Sequence, residues 1–210
     1  MPEYIEEKLA KYIDDAASNA PTPGGGSVSA LAAALGNSMA AMVANFTIGK
    51  KKYADVEEQV KELLAALDVE RGAMLSEMQR DTEAYAQVGA AYGMPRKTDD
   101  EKAARKEAIQ KALVTAMGPP LETLRSVRRA ATALKALAPI GNKNLITDIG
   151  VAALLLEAAA EGAALNVKIN LASMKDKQKV DSVSEEVREG LLEISESCRE
   201  AMAEVEKALA

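Results

Sequence analysis

The stretch that decides the fold is PTPGGGSVSALAAALGNSMAAMVANFTIGKKKY, residues 21–53. It opens with three consecutive glycines, continues almost wholly in small residues and ends in three lysines. Its large side chains recur every three or four positions, at Val28, Leu31, Leu35, Met39, Met42 and Phe46. This spacing predicts an α-helix over 27–47. Because its other faces carry mostly Ala, Ser and Gly36, we expect a central helix that its neighbours approach closely.

Helical periodicity continues along nearly the whole chain, broken at short Gly- and Pro-containing stretches such as NAPTPGGG, YGMPRKTDD, GPP and APIGNKN. These breaks define seven segments, roughly 3–18, 27–47, 55–92, 99–117, 120–138, 145–173 and 179–208. No segment reads convincingly as a strand, and no stretch resembles an interdomain linker. The sequence therefore predicts an all-α fold, a single-domain bundle of about seven mostly antiparallel helices over residues 1–210.

Composition limits the chemistry and the partners. The chain has 26 Lys and Arg against 32 Asp and Glu, a net charge of −6, which argues against a nucleic-acid or anionic-membrane binder. It has no histidine, which excludes His-dependent zinc sites and Ser-His-Asp catalysis, so we expect no metal. Any acid–base work must fall to Asp, Glu, Lys or Tyr.

The compartment follows from the single cysteine. Cys198 cannot form an internal disulfide, and it lies in the apolar stripe of the last segment, from Val180 to Leu209, where we expect a core residue. The acidic N-terminus lacks the features of a signal peptide. No apolar run is long and uninterrupted enough to predict a membrane span clearly, although 151–160 is very apolar. We expect a cytoplasmic protein.

The glycines Gly24, Gly25 and Gly26 precede Ser27, a good N-cap for the helix that follows. One glycine would be enough for a turn and a cap. Three leave backbone N–H groups unobstructed at a helix N-terminus, which favours contact with an anion or the polar edge of a ligand. The run fits neither a Walker loop nor a dinucleotide fingerprint.

The lysines Lys50, Lys51 and Lys52 follow Gly49, a plausible residue just after a helix end. Lysines at a helix C-terminus are favoured by the helix dipole alone. As a cluster in an acidic protein they could instead hold an anionic substrate tail, and the sequence leaves both readings open.

Asp81 interrupts an apolar pattern. The inward stripe of the third segment is formed by Val60, Leu63, Leu67, Met74, Met78, Tyr85 and Val88, and Asp81 holds the position between the last Met and Tyr. A carboxylate on a buried face is costly unless it is paired or hydrogen-bonded, and such groups cluster at functional sites. A catalytic group and a structural ion pair are equally good explanations.

The loop GNKNLITD, residues 141–148, carries further polar candidates. Asn144 could cap the next helix, and Asp148 would then lie in its first turn. Asn166 and Asn170 follow on an otherwise apolar stretch, as ligand contacts or as fastenings between helices or subunits. Asp148 and Asn166 are about 27 Å apart along a straight helix, so they cannot both touch one small ligand.

Three stretches together resemble the cyclodeaminase/cyclohydrolase family: the opening one, DTEAYAQV at 81–88, and GNKNLITDIGVAALLLEAAAEGAALNVKINL at 141–171. The family includes the cyclodeaminase domain of formiminotransferase-cyclodeaminase and free-standing bacterial methenyltetrahydrofolate cyclohydrolases. The resemblance covers nearly the whole chain. It implies an all-helical fold, a homodimer and a tetrahydrofolate one-carbon substrate, with no bound cofactor.

The resemblance implies one of two reactions. Water opens 5,10-methenyltetrahydrofolate to 10-formyltetrahydrofolate, or ammonia leaves 5-formiminotetrahydrofolate. No formiminotransferase domain precedes the chain, which favours the cyclohydrolase; a non-catalytic helical scaffold and a folate-sequestering protein are the rivals.

Within this reading, the base is Asp81 or Asp148. Gly24, Gly25, Gly26 and Ser27 lie at the pterin. Lys50, Lys51 and Lys52 hold the glutamate tail, and Asn142 and Asn144 are further binding candidates.

Overall fold

The computed structural model describes residues 3–210, which form six α-helices, two short 3₁₀ segments and no β-strand. The helices are α1 (Leu9–Ala16), α2 (Gly25–Thr47), α3 (Glu57–Gly93), α4 (Asp99–Ile140), α5 (Ile146–Leu171) and α6 (Lys177–Leu209). The 3₁₀ segments are Lys51–Val56 and Lys143–Leu145. The predicted all-α class is confirmed.

The predicted helix count was too high because α4 does not stop at GPP. Pro119 and Pro120 lie inside this helix, although a proline lacks the N–H that an interior residue donates. Buried side chains continue at helical spacing across them, at Leu113, Met117, Leu121 and Leu124. We attribute the unbroken course of α4 to this packing, which outweighs the lost hydrogen bonds.

The first predicted helix, 3–18, is also shorter than expected. Only Leu9–Ala16 is helical, and the backbone N–H of Tyr4 donates to Gln79 of α3 at 3.1 Å. The rings of Tyr4 and Tyr12 meet edge to face, with centroids 5.1 Å apart, and are buried beside Met78. The segment before α1 is thus anchored to α3 by its own tertiary contacts.

Helices that follow one another in sequence from α2 onward run antiparallel. Asn37 of α2 donates to the carbonyl of Leu67 at 2.8 Å, and Arg129 of α4 pairs with Glu70 of α3. By contrast, α4 and α6 are parallel, because α5 separates them in the chain. The ion pairs Arg125–Glu186 and Lys135–Glu200 join these two helices in the same order along each.

The central helix α2 buries its small face. Ala33, Ala40 and Ala44 are fully buried, and a Cβ on Gly36 would lie 2.9 Å from the Cβ of Leu155 in α5. The close approach predicted for this helix is confirmed. Three of its large side chains instead lie toward solvent: Val28, Leu35 and Phe46 are 44%, 51% and 53% exposed.

By length and composition α2 could also cross a membrane, contrary to the expectation of no such run. Its most apolar window has a mean hydropathy of 1.5. However, 61% of that window is buried inside the bundle, as in the core helix of a globular protein. Hydropathy alone cannot separate these two cases.

The apolar stripe predicted for the last helix is confirmed in α6. Val183, Val187, Ile194 and Val205 are buried against the core, while Leu209 at the end is exposed. Cys198 is buried in the same stripe, and burial raises the pKa of its thiol to about 12. It is a core residue, as expected.

Candidate functional site

A cavity of about 280 Å³ lies at the N-terminal end of α2. Its walls come from α3, α4, α5 and the turn before α2. The polar groups that line it include the backbone of Gly24 and Gly25 and the side chains of Asp81, Asn166 and Asn170. Five of the residues singled out by sequence therefore line one cavity, and one of them, Asp81, carries a carboxylate.

Asp81 reaches this cavity from α3. Its Oδ2 accepts a 2.9 Å hydrogen bond from the backbone N–H of Ser27, and it makes no ion pair within residues 3–210. The structural ion pair considered as an alternative is therefore wrong. Burial raises the pKa of the Asp81 carboxyl, and the Ser27 N–H partly offsets that rise. A carboxylate with a raised pKa is suited to proton transfer.

Ser27 is not the N-cap that its type and position predicted. The N-cap is Gly24, and Ser27 is the third residue of α2. Its hydroxyl donates to the carbonyl of Met78 at 2.8 Å, which leaves it to accept from the Tyr12 hydroxyl at 2.9 Å. The carboxylate of Asp81 instead caps α2. It accepts the N–H of Ser27, which has no carbonyl partner within the helix, and it places a negative charge at the helix N-terminus.

Each of the three positions holds a glycine for a different structural reason. A Cβ on Gly26 would overlap the carboxylate of Asp81, so only glycine allows the hydrogen bond to Ser27. A Cβ on Gly25 would lie 3.1 Å from the side-chain nitrogen of Asn166. Gly24 lines the cavity directly. The run is therefore explained by the close approach of α3 and α5, together with an open cavity wall.

The two asparagines present unpaired acceptors to the cavity. The Nδ2 of Asn166 donates to the carbonyl of Gly162, and the Nδ2 of Asn170 donates to the carbonyl of Asn166, both at 2.8 Å. Their Oδ1 atoms accept no hydrogen bond from residues 3–210. With the nitrogen of each amide fixed in this way, the oxygen is left to accept from a ligand.

Two tyrosines that sequence reasoning did not assign to the site complete its wall. Tyr85 and Tyr92 of α3 line the cavity and are 48% and 49% exposed. Tyr85 followed the inward stripe in the sequence and was expected in the core. The signal that could have found both is their spacing from Asp81, four and eleven residues on one helical face.

The lysine end of α2 forms a second concave surface. Lys50, Lys52, Asn142 and Asn144 line it, and Lys51 is exposed beside them. The 23 residues of α2 separate this surface from the cavity by about 33 Å at 1.5 Å per residue. The structure therefore does not bring the lysines to Asp81 within one protomer.

The loop residues at this end have structural partners. Asn142 donates from its backbone to Thr47 and from its side chain to the carbonyl of Phe46, both at 2.9 Å. Its Oδ1 accepts from the N–H of Asn144. The suggestion that Asn144 caps α5 is wrong, because the N-cap is Leu145. Asp148 lies in the first turn of α5, as predicted, but does not line the cavity.

Metal binding has no obvious location in the described part of the chain. Within residues 3–210, no three His, Cys, Asp or Glu side chains are grouped as a metal site requires. The residues that line the cavity offer one carboxylate, two asparagine amides, the hydroxyls of Thr22 and Ser173 and two tyrosine rings.

Comparison with known proteins gives consistent matches. A sequence model of the family described as formiminotransferase-cyclodeaminase matches residues 8–189. A methenyltetrahydrofolate cyclohydrolase from Methylorubrum extorquens is 41% identical over 89% of both chains. The formimidoyltransferase-cyclodeaminase of Rattus norvegicus is 32% identical over 82% of this chain, which spans only 32% of that longer protein.

A solved structure shares the fold along the whole chain. The crystal structure of a formiminotetrahydrofolate cyclodeaminase from Thermotoga maritima superposes with a TM-score of 0.89 and 31% sequence identity. The alignment covers 99% of this chain and 100% of the other. The arrangement of six helices described above is thus an established architecture.

Proposed function

The chain belongs to the formiminotransferase-cyclodeaminase family, and from that premise we propose that it hydrolyses 5,10-methenyltetrahydrofolate to 10-formyltetrahydrofolate. The observation that carries the proposal is the position of Asp81, a carboxylate of raised pKa in a cavity beside unpaired amide oxygens. The 41% identity to a cyclohydrolase over nearly the full length of both chains favours this reaction.

The methenyl carbon is the electrophile in the proposed reaction. It lies between two nitrogens that share a positive charge, so a nearby carboxylate both attracts the ring system and orients water. Asp81 accepts a proton as the water oxygen bonds to that carbon. The bond from this carbon to N5 then breaks, N5 takes that proton from Asp81, the remaining hydroxyl proton leaves to solvent, and the formyl group stays on N10.

The remaining walls suit the rest of a reduced pterin. Its ring N–H and amino groups are donors, and the Oδ1 atoms of Asn166 and Asn170 are free to accept them. Tyr85 and Tyr92 offer ring faces for stacking. Gly24 and Gly25 allow the flat ring to approach the backbone. In this proposal the cavity of about 280 Å³ holds the pterin and the reacting carbon, and the tail extends outside.

We propose that the folate is substrate and that the reaction needs neither a bound cofactor nor a metal. The support is chemical, since a delocalised cation reacts with water without further activation by a Lewis acid. A reducing cytoplasm is the compartment we propose, because the single cysteine is a buried thiol.

We also propose a homodimer that covers the outer face of α2. Along its 23 residues this helix has no charged side chain, and Val28, Leu35 and Phe46 are exposed on it. The adjacent α5 adds Val151, Leu154, Leu165 and Ile169, all exposed. Apolar surfaces of this extent on neighbouring helices mark interaction sites.

A second reaction is favoured by one finding, the full-length match to a formiminotetrahydrofolate cyclodeaminase structure. In that reaction N10 attacks the formimino carbon and its proton passes to the formimino nitrogen. That nitrogen takes a second proton from the Asp81 carboxyl and leaves as ammonia, and the methenyl compound remains. The same cavity serves both reactions, and they differ in the protonation state that Asp81 must begin with.

One pair of assays tests the proposal. The purified protein is given 5,10-methenyltetrahydrofolate in one cuvette and 5-formiminotetrahydrofolate in another, and the methenyl absorbance is followed. We expect accelerated loss in the first and no change in the second. Appearance of the chromophore with release of ammonia in the second would assign the cyclodeaminase. If the folded protein changes the methenyl absorbance in neither cuvette, a binding or scaffold role remains.

A further inference from the structure

We propose that a second copy of this chain completes the folate site. In this arrangement α2 pairs antiparallel with α2 of the other copy, and the other copy's lysines 50–52 bind the glutamate tail of the folate held at Asp81. The inference rests on the proposed function and dimer, and it assigns the residues that each subunit contributes.

The first argument is the length of α2. The cavity at Asp81 and the lysine cluster lie at opposite ends of this helix, about 33 Å apart. A tail that leaves the cavity therefore cannot reach the lysines of its own subunit directly. An antiparallel neighbour places its own C-terminal end beside this N-terminal end and removes that distance.

The second argument is the symmetry of the exposed stripe. The exposed Val28 and Phe46 are equally distant from position 37, and so are the exposed Leu35 and the half-buried Met39. In a two-fold interface the same surface of both copies must fit together. Where residue i of one copy contacts residue j of the other, residue j of the first copy also contacts residue i of the second. An antiparallel pair centred on position 37 sets the large side chains of one helix against those of the other.

The same register brings the two ends of α2 together. In an antiparallel pair centred on position 37, Thr47 at the C-terminal end of one α2 lies opposite Ser27 near the N-terminal end of the other, and Lys50, Lys51 and Lys52 follow just beyond Thr47. Gly24 and Thr22 line the cavity. The apolar stripe thus brings the lysine cluster of one copy to the mouth of the other copy's cavity.

Charge supports this pairing. Lys50, Lys51 and Lys52 are exposed and make no ion pair within residues 3–210, although the protein is acidic overall. The segment beside the N-terminal end of α2, residues 3–16, carries five acidic and two basic side chains. Antiparallel pairing therefore sets a basic end against an acidic one, while the uncharged length of α2 lies between them.

The ligand class follows from the lysines. A folate tail carries the carboxylates of one or more glutamates, and exposed ammonium groups attract such carboxylates without demanding a fixed geometry. The expected consequence is a preference for polyglutamylated over monoglutamylated substrate, which only an intact pair of subunits can show.

Complementation between two inactive or weakened variants tests this arrangement. One variant is Asp81→Asn, and the other replaces lysines 50, 51 and 52 by Ala. The two chains carry different tags, are co-expressed, and are purified as the heterodimer. The ratio of kcat/KM for triglutamate over monoglutamate substrate is measured for wild type, for each homodimer and for the heterodimer.

The shared site predicts recovery. In the heterodimer, one site combines Asp81 of the lysine variant with the lysines of the Asp81→Asn chain, so the wild-type substrate preference should return at about half the wild-type kcat. If the heterodimer instead shows the same triglutamate-to-monoglutamate ratio of kcat/KM as the lysine-variant homodimer, the inference is overturned. Each lysine cluster would then serve the site of its own subunit. An unchanged preference in the lysine-variant homodimer would overturn it as well.

The interface has its own test and a matched control. Leu35→Glu places a charge on the outer face of α2, near the two-fold axis, and we expect sedimentation to show a monomer with lowered triglutamate preference. Leu192→Glu alters a similarly exposed leucine on α6 and should leave the dimer intact. A Leu35→Glu dimer, or a monomeric wild type, would overturn the inference. Turnover of monoglutamate by wild type tests the proposed function separately.

Discussion

The carboxylate of Asp81 caps the helix that begins 56 positions earlier, by accepting the backbone N–H of Ser27 at 2.9 Å. This one contact links the glycine-rich turn, the central helix and the proposed base. It holds one carboxylate oxygen in place beside the cavity and leaves the other for water or substrate. A residue that is structural for α2 is in this way also positioned for chemistry.

Asp81→Asn should abolish most turnover and leave the fold intact. Removal of a general base costs about 10²–10⁴-fold in rate. The amide oxygen can still accept the Ser27 N–H, and the cost of burying a charge is gone, so thermal unfolding at pH 7 should occur at the same or a higher temperature. Asp68→Asn, on the exposed side of the same helix, is the control and should keep full activity. An active Asp81→Asn enzyme would contradict the proposed base.

The pH dependence should report the ionisation of Asp81. Burial raises the pKa of this carboxyl above its ordinary 3.8, and a base must be deprotonated to act. The hydrolase kcat/KM should therefore rise with pH through a midpoint above 3.8 and level off. In the cyclodeaminase reaction the protonated carboxyl is the active form, so activity would fall over the same range. A profile that is flat from pH 4 to 7 would count against both roles.

Gly26→Ala should lower turnover, although Gly26 has no side chain that could take part in catalysis. The added Cβ would overlap the Asp81 carboxylate, so the hydrogen bond to Ser27 must lengthen or α3 must shift. We expect turnover to fall at least about tenfold, together with a loss of stability of about 1–3 kcal/mol. Gly72→Ala is the matched control, since no atom of the described residues lies within 4 Å of the Cβ that this substitution adds. It should stabilise α3 by about 0.5–1 kcal/mol.

Glu77→Gln should stabilise the protein at neutral pH. Glu77 is only 6% exposed, and its Oε2 has no hydrogen-bond partner among residues 3–210. Burial raises the pKa of its carboxyl, although Arg80 opposes the shift. The folded-state pKa thus exceeds the unfolded one. The contribution of the Glu77 carboxyl to the free energy of unfolding is therefore most favourable below pH 4.5 and is lost as the pH rises through the folded-state pKa.

Thermal unfolding at pH 7 and pH 4 measures this effect. Replacement by Gln should raise the Tm at pH 7 by about 2–4 °C, the shift that 1 kcal/mol gives in a domain of this size, and by less at pH 4. The exposed Glu83→Gln on the same helix should change neither value. A lower Tm at pH 7 for Glu77→Gln would show that the pair with Arg80 outweighs the cost of burial.

Much of the fold was present in the sequence because it depends on near neighbours. Side chains three and four residues apart share a helix face, so the stripes of α2 and α6 predicted both helices and the core position of Cys198. The same periodicity singled out Asp81 as a polar group on an apolar face. The alanine-rich face of α2 predicted the close approach of α5 at Gly36.

What only the tertiary structure decided involves residues far apart in sequence. A capping residue can be read from local sequence only when it belongs to its own helix, and here the N–H of Ser27 is capped by α3. The sequence rule for proline predicts a break at Pro119, and burial on both sides of it prevents that break. The glycines and the lysines at the two ends of the quoted stretch were both expected at one folate, yet the rigid helix between them holds them about 33 Å apart. Local periodicity sets each helix, but which of their ends meet is decided by packing among all of them.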